Sequence, residues 1–251
     1  MHRIAALAAA LAGCTFTTNE AGPTPDGGHG GPTGTGPGSG SDSPVTRGCH
    51  VSDPSLVLCF DFEEPQLGPT LKDGSLRGHD ATTANVHPMA RATEQAAAVA
   101  VATGSQIYIP PSADLSSFTT LTLEAWVRPD VVGTGAWAIN HQPQYGLAYD
   151  GQTAICQIGN QTAAIAFRTA AGTWTHVGCI YDGDQIKLFV NGSAVACNDG
   201  PGNIDSRSWS TYLGPQLTGG IDNARVYDDD LDALEICDHA GATSCQTSCP
   251  Q

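Results

Sequence analysis

The chain has 251 residues, with 25 acidic against 10 basic side chains and a formal charge of −15. That balance repels polyanions and excludes nucleic acid as a partner, while leaving divalent cations admissible. Beyond an N-terminal Gly/Pro/Ser/Thr tract, about 200 residues remain, which suits one large domain and not two.

Met1-His2-Arg3 is a basic start, and Ile4 to Ala12 is an apolar run of nine residues. The run is too short to span a bilayer but fits a secretory signal. It closes on Leu11-Ala12-Gly13-Cys14, which resembles the bacterial lipoprotein signal box. The resemblance implies cleavage before Cys14 and acylation of its thiol and new amino terminus, and several acyl chains anchor stably where one is marginal. The expected organisation is therefore a signal peptide over 1–13, a lipidated Cys14 and disordered linker over 14–48, and a folded domain over 49–251. Thr15 stands where many inner-membrane lipoproteins carry Asp, which points to the outer membrane or cell surface of a Gram-negative source. Thr15 to Arg47 holds almost no large apolar residue and cannot offset its ordering entropy, so it reads as a tether.

Strands follow in order: Leu58 to Glu64, Ile107 to Pro110, Leu121 to Pro129, Thr173 to Tyr181, Gln185 to Val190, Ser193 to Cys197 and Gly220 to Tyr227. Asp182-Gly183 and Asn191-Gly192 supply the positive φ angles that close tight hairpins. Asp232-x-x-Glu235 is a capping box and predicts one short helix after Tyr227. The periodicity predicts an all-β sandwich.

The wording of these segments carries more. TWTHVGCIYDGDQIKLFVNGSAV followed by GGIDNARVYDDDLDALEI resembles the laminin-G-like, concanavalin A-like jelly rolls of bacterial surface proteins. Leu58 to Glu64, the loop Asp73 to Asp80, and the strands at 107–110 and 121–129 resemble that family in the same order, over about residues 56 to 236. The resemblance implies a two-sheet antiparallel jelly roll. It does not imply an activity, because this architecture carries lectins, adhesins, hydrolases and lyases alike.

Cys49, Cys59, Cys156, Cys179, Cys197, Cys237, Cys245 and Cys249 are an even set in an exported chain and predict up to four disulfides. Jelly-roll termini lie close together, which favours pairing Cys49 or Cys59 with one of Cys237, Cys245 and Cys249. A link among Cys156, Cys179 and Cys197 is the second expectation. Cys237-Asp238-His239 with Cys245 and Cys249 matches no common zinc spacing.

Glycosidases need two carboxyl groups on either side of the scissile bond, and related glucanases take them from Glu-x-Asp-x-x-Glu on one strand. That motif is absent here. Glu124 has Thr122, Trp126 and Arg128 as same-face neighbours, and no Gly-x-Ser-x-Gly occurs. His176 reads as structural, beside Trp174. Catalysis by carboxylates from distant strands is the alternative left open.

Asp222 has the same strand parity as Ala224 and Val226, a partly apolar face on which a carboxylate needs a partner. Related jelly rolls often hold one structural calcium on an Asp of the last strand, so Asp222 is the candidate ligand, with backbone carbonyls as the remaining donors. Sugar rings stack on aromatic side chains while amides and charged groups take their hydroxyls. Trp137, Tyr145 and Trp209, in less regular stretches, are the candidate exposed aromatics. Glu124 and Trp126 would join them if the second face of their strand lined a groove. The expectation is a non-catalytic, lipid-anchored surface module that binds a glycan, with protein adhesion as the alternative and a divergent glycoside hydrolase or polysaccharide lyase as the third.

Overall fold

The computed structural model describes residues 49, 53–63, 67–91 and 96–250. Cys14, the signal peptide and the linker lie outside the described residues. Among the described residues sixteen strands form the domain. The first six are β1 (Leu56–Phe60), β2 (Thr70–Leu71), β3 (Ala81–Ala84), β4 (His87–Arg91), β5 (Ala96–Val101) and β6 (Gln106–Ile109). Next come β7 (Leu121–Pro129), β8 (Trp137–His141), β9 (Tyr145–Tyr149), β10 (Thr153–Ile158) and β11 (Gln161–Ala166). The last five are β12 (Thr175–Tyr181), β13 (Gln185–Val190), β14 (Ser193–Asp199), β15 (Thr211–Leu213) and β16 (Gly219–Tyr227), before the helix α1 (Ala233–His239).

Two antiparallel sheets pack face to face, as the sequence predicts. One runs β14-β13-β12-β7-β16-β5-β4, with β1 also paired to β16; the other runs β11-β10-β9-β8-β15-β6-β3-β2. Alternation decides the faces. On β7, Leu121, Leu123, Ala125 and Val127 enter the shared core with Leu147, Ala154, Val177, Leu188 and Val226. Thr122, Glu124, Trp126 and Arg128 point the other way. The Asn191-Gly192 hairpin has positive φ at both residues, 48° and 81°, the conformation a two-residue turn between twisted strands needs.

Trp137 and Tyr145, expected in less regular stretches, lie on the regular strands β8 and β9, which continue into β10 and β11. Apolar residues stand on both faces here, Leu147 and Ala154 in the core and Trp137, Ala148 and Ile155 on the outer side, so the period of two is blurred.

The eight domain cysteines form four disulfides: Cys49–Cys59, Cys156–Cys179, Cys197–Cys249 and Cys237–Cys245. Cys156–Cys179 joins β10 to β12 across the core and meets the second expectation. The first is corrected. Cys49 and Cys59 bond to each other, because the chain before β1 turns back on it, with the Cys49 N–H on Asp61 Oδ2 at 3.1 Å. The C-terminal tail is stitched instead to its own helix and to β14. Such a set persists in an oxidising, exported setting.

Helix α1 has the predicted box: Asp232 caps the Leu234 N–H at 2.9 Å and Glu235 accepts from the Asp232 N–H at 2.8 Å. Its Ile236 packs on Ile180, Phe189 and Ala194, on the outer face of the first sheet. Gly178 makes the approach possible, since a Cβ there would stand 3.2 Å from Ile236 Cγ2.

Candidate functional site

The outer face of the first sheet is not a groove at Glu124. The helix closes over it, and Glu124 is 1 % exposed. Its Oε1 accepts from Arg225 Nη1 at 3.0 Å and from the Tyr227 hydroxyl at 3.3 Å. His239 Nδ1 of α1 lies 2.9 Å from Oε1, and His176 Nε2 lies 3.3 Å from Oε2. Burial opposes ionisation of Glu124, but His239, His176 and Arg225 outweigh it and hold the carboxyl well below its usual range. Burial pushes the His176 imidazole down, against the opposing pull of Glu124. A lone carboxylate held by Arg225, Tyr227 and two histidines and sealed from solvent positions a helix and is out of a ligand's reach. The expectation that Glu124 lines a binding groove is corrected accordingly. Trp126, half-buried on the same face, sets its ring edge-on to His176 at 5.3 Å.

Asp222 also lies elsewhere than its parity predicts. A bulge between Asp222 and Arg225, with Asn223 at φ 47°, inserts an extra residue into β16. Asp222 therefore pairs with Trp126 on the outer face, while Ala224 and Val226 enter the core. A bulge reverses the side of every residue before it. Asp222 is fully buried, and its Oδ1 accepts from the Asn223 N–H at 2.8 Å. Among the described residues no group of three or more His, Cys, Asp or Glu side chains is spaced to hold a metal ion, so a calcium at Asp222 would draw its other ligands from carbonyl or amide oxygens.

Tyr145 is corrected too. Its strand parity turns it into the core, fully buried, with its hydroxyl on the Leu115 carbonyl at 3.0 Å and its ring stacked on His141 at 4.4 Å. Trp209 is 40 % exposed and lies 5.7 Å from the Arg207 guanidinium.

Trp137 leads to an extended polar–aromatic surface. On the outer face of the second sheet, Trp137 pairs with Ala148, and Ala148 with Ile155. These three, with Gly135, Ala136, Asp150 and Thr153, line a cavity of about 200 Å³. Asp150 sits at its edge with its oxygens occupied by the N–H groups of Gly135, Gln152 and Thr153.

One pleat further along, the registers align a row across all eight strands. Thr162 on β11 faces Gln157 on β10, which faces Gly146 on β9, which faces Asn140 on β8. Asn140 faces Tyr212 on β15, Tyr212 faces Tyr108 on β6, and Thr82 and Thr70 complete the line on β3 and β2. None is charged. The gap at Gly146 is filled by a neighbour: a Cβ there would lie 2.5 Å from Trp137 Cζ3, so the indole lies over the row at its glycine. Gln142 donates to Gln157 Oε1 at 2.9 Å, Gln157 donates to the Gly159 carbonyl at 3.0 Å, and Ser210 donates to the Tyr108 hydroxyl at 3.5 Å. The Tyr108 and Tyr212 rings lie 5.5 Å apart, tilted.

Residues 101–237 match the family described as the concanavalin A-like lectin/glucanases superfamily. The chain belongs to that superfamily. Six of the eight row positions, all but Thr70 and Thr82, lie in the matched segment. No curated protein matches the chain. Among solved structures, domain 4 of AbnA, a GH43 extracellular arabinanase from Geobacillus stearothermophilus solved with arabinotriose, superposes with a TM-score of 0.57 at 19 % identity, over 74 % of this chain and 98 % of that one. The binding domain of Paraclostridial Mosquitocidal Protein 1 gives 0.59 at 11 %, over 74 % of this chain. The binding domain of botulinum neurotoxin DC, solved with rat synaptotagmin II, gives 0.54 at 11 %, over 74 % of this chain. This concanavalin A-like domain spans about half of each toxin domain, 52 % and 51 %. At these identities the likeness is one of fold.

Proposed function

We propose that this protein is a non-catalytic glycan-binding module, exported and held at the membrane through a lipidated Cys14. The observation that carries the reading is the indole of Trp137 lying over Gly146, between the amides of Gln157 and Asn140. An aromatic plane flanked by amide donors and acceptors answers both faces of a sugar, its apolar C–H side and its hydroxyls. A binding role fits better than hydrolysis. The row has no carboxylate, Asp150 is occupied by backbone donors, and Glu124 is sealed under α1, whereas glycoside hydrolysis needs a facing pair. The arabinotriose complex of the arabinanase domain shows that this architecture can hold a sugar. The neurotoxin complex with synaptotagmin keeps protein adhesion as the competing reading, which an apolar patch would favour over the amide-rich row found here.

The test is a glycan array probed with the oxidised protein and its Trp137→Ala variant, with calcium and with chelator. Binding that vanishes in the variant at an unchanged melting temperature supports the site. The row holds no carboxylate to anchor a cation, so binding should persist in chelator. A folded protein that binds no glycan turns the assignment to protein adhesion.

A further inference from the structure

We infer that the ligand is an uncharged, extended polysaccharide chain running across the strands, from β2 to β11, and not a terminal sugar or an acidic glycan. The inference rests on the glycan-binding reading and specifies its ligand class.

Three observations carry it. The first is length. Strands lie about 4.8 Å apart, so a row crossing eight of them extends over about 34 Å, many times the width of one ring. A pocket for a terminal sugar would end after one or two strands. Here the register holds without a break from Thr70 to Thr162.

The second is chemistry. Each step offers a hydroxyl, an amide or an aromatic face, and Gly146 itself carries the Trp137 ring. Groups that both donate and accept suit sugar hydroxyls, which do the same. The amide of Gln157 is held in place by Gln142 and Gly159, which reduces the ordering cost of binding.

The third is charge. Acidic glycans are bound through Arg or Lys facing their carboxylates or sulfates, and the row has neither. Arg207, beside Trp209, is paired with Asp205. The protein's charge of −15 opposes any polyanion. A cationic sugar would want a carboxylate in the row, and none is there.

The experiment measures affinity of the intact oxidised protein for linear neutral oligosaccharides of the arabinan, xylan, mannan and cello series, from disaccharide to octasaccharide. Oligogalacturonates of matched length serve as the acidic arm. In at least one neutral series, affinity should rise roughly tenfold between trisaccharide and hexasaccharide, with oligogalacturonates at least tenfold weaker. Tyr108 lies three strands from Gly146, so Tyr108→Ala should weaken the hexasaccharide severalfold and leave the trisaccharide unchanged, its melting temperature serving as the folding control. Trp137→Ala should remove both. Trp137-dependent binding that is flat with length, or equally tight for oligogalacturonate, overturns the extended neutral ligand while leaving glycan binding intact. Failure of every saccharide overturns both.

Discussion

Glu124 on β7 and His239 at the end of α1 meet at 2.9 Å under the C-terminal helix, so a residue of the central strand holds the last element of the fold. Arg225 shares the same carboxylate at 3.0 Å. Glu124→Gln removes the charge and leaves Arg225 buried beside a neutral amide. Breaking one side of a buried pair costs about 3–5 kcal/mol, and a denaturant titration should show a loss of that size. Hydrogen exchange should localise the first opening to α1 and the tail after it.

The carboxyl of Glu124 is held well below its usual range against the opposition of burial. A depressed carboxylate stabilises the fold above its unfolded pKa, and the contribution is lost as the pH falls through the folded one. Wild-type stability should therefore decline in the acid range below about pH 4.5. That limb should be smaller in Glu124→Gln, with other lowered carboxyls such as Asp114 and Asp182 supplying what remains.

His141 supplies a second, separate limb. Burial pushes it down to about 4 from 6.5, with its ring stacked on Tyr145, Nδ1 2.7 Å from Thr211 Oγ1 and Nε2 3.4 Å from Ser116 Oγ. Between pH 6.5 and 4 the unfolded chain binds a proton that the folded one refuses, so stability falls as pH is lowered. The full loss is roughly 3 kcal/mol. In His141→Gln, urea midpoints should fall less steeply over that window, the remaining slope belonging to His176, which burial also pushes down.

Gly146→Ala tests the platform without touching a sugar-contacting group. The new methyl would stand 2.5 Å from Trp137 Cζ3, so the indole must swing away from the row. Glycan affinity should drop by an order of magnitude or more while the sheet register is kept, and tryptophan fluorescence should report a more exposed indole. Unchanged affinity would remove Trp137 from the binding face.

The two tail disulfides should differ in worth. Cys197–Cys249 closes a separation of 52 residues and Cys237–Cys245 one of 8. Chain-entropy arguments give about 4 and about 2.5 kcal/mol respectively. The double replacement Cys197→Ser/Cys249→Ser should accordingly lower the thermal midpoint more than Cys237→Ser/Cys245→Ser does.

Residues Gln185 to Val190 and Leu121 to Pro129 were legible as strands, because aliphatic side chains recur there at every second position. The capping box at Asp232 was legible for the same local reason. The strands of Trp137 and Tyr145 were not, since apolar residues stand on both faces there and blur a period of two. Asp222 was read on the wrong side because a bulge leaves no trace in residue type, Asn223 being the one local hint through its tolerance of positive φ.

The sequence by itself determined the fold class, the alternating core of β7, β12 and β13, and the helix that ends the domain. These follow from side-chain periodicity and local hydrogen bonding, which act within a few residues. Tertiary structure alone decided that Glu124 is covered, that Tyr145 is inside, and that Thr70, Tyr108, Asn140, Gln157 and Tyr212 stand in one line. A row across strands is set by the register of every pairing between them, and each register depends on turns and bulges that no single strand contains.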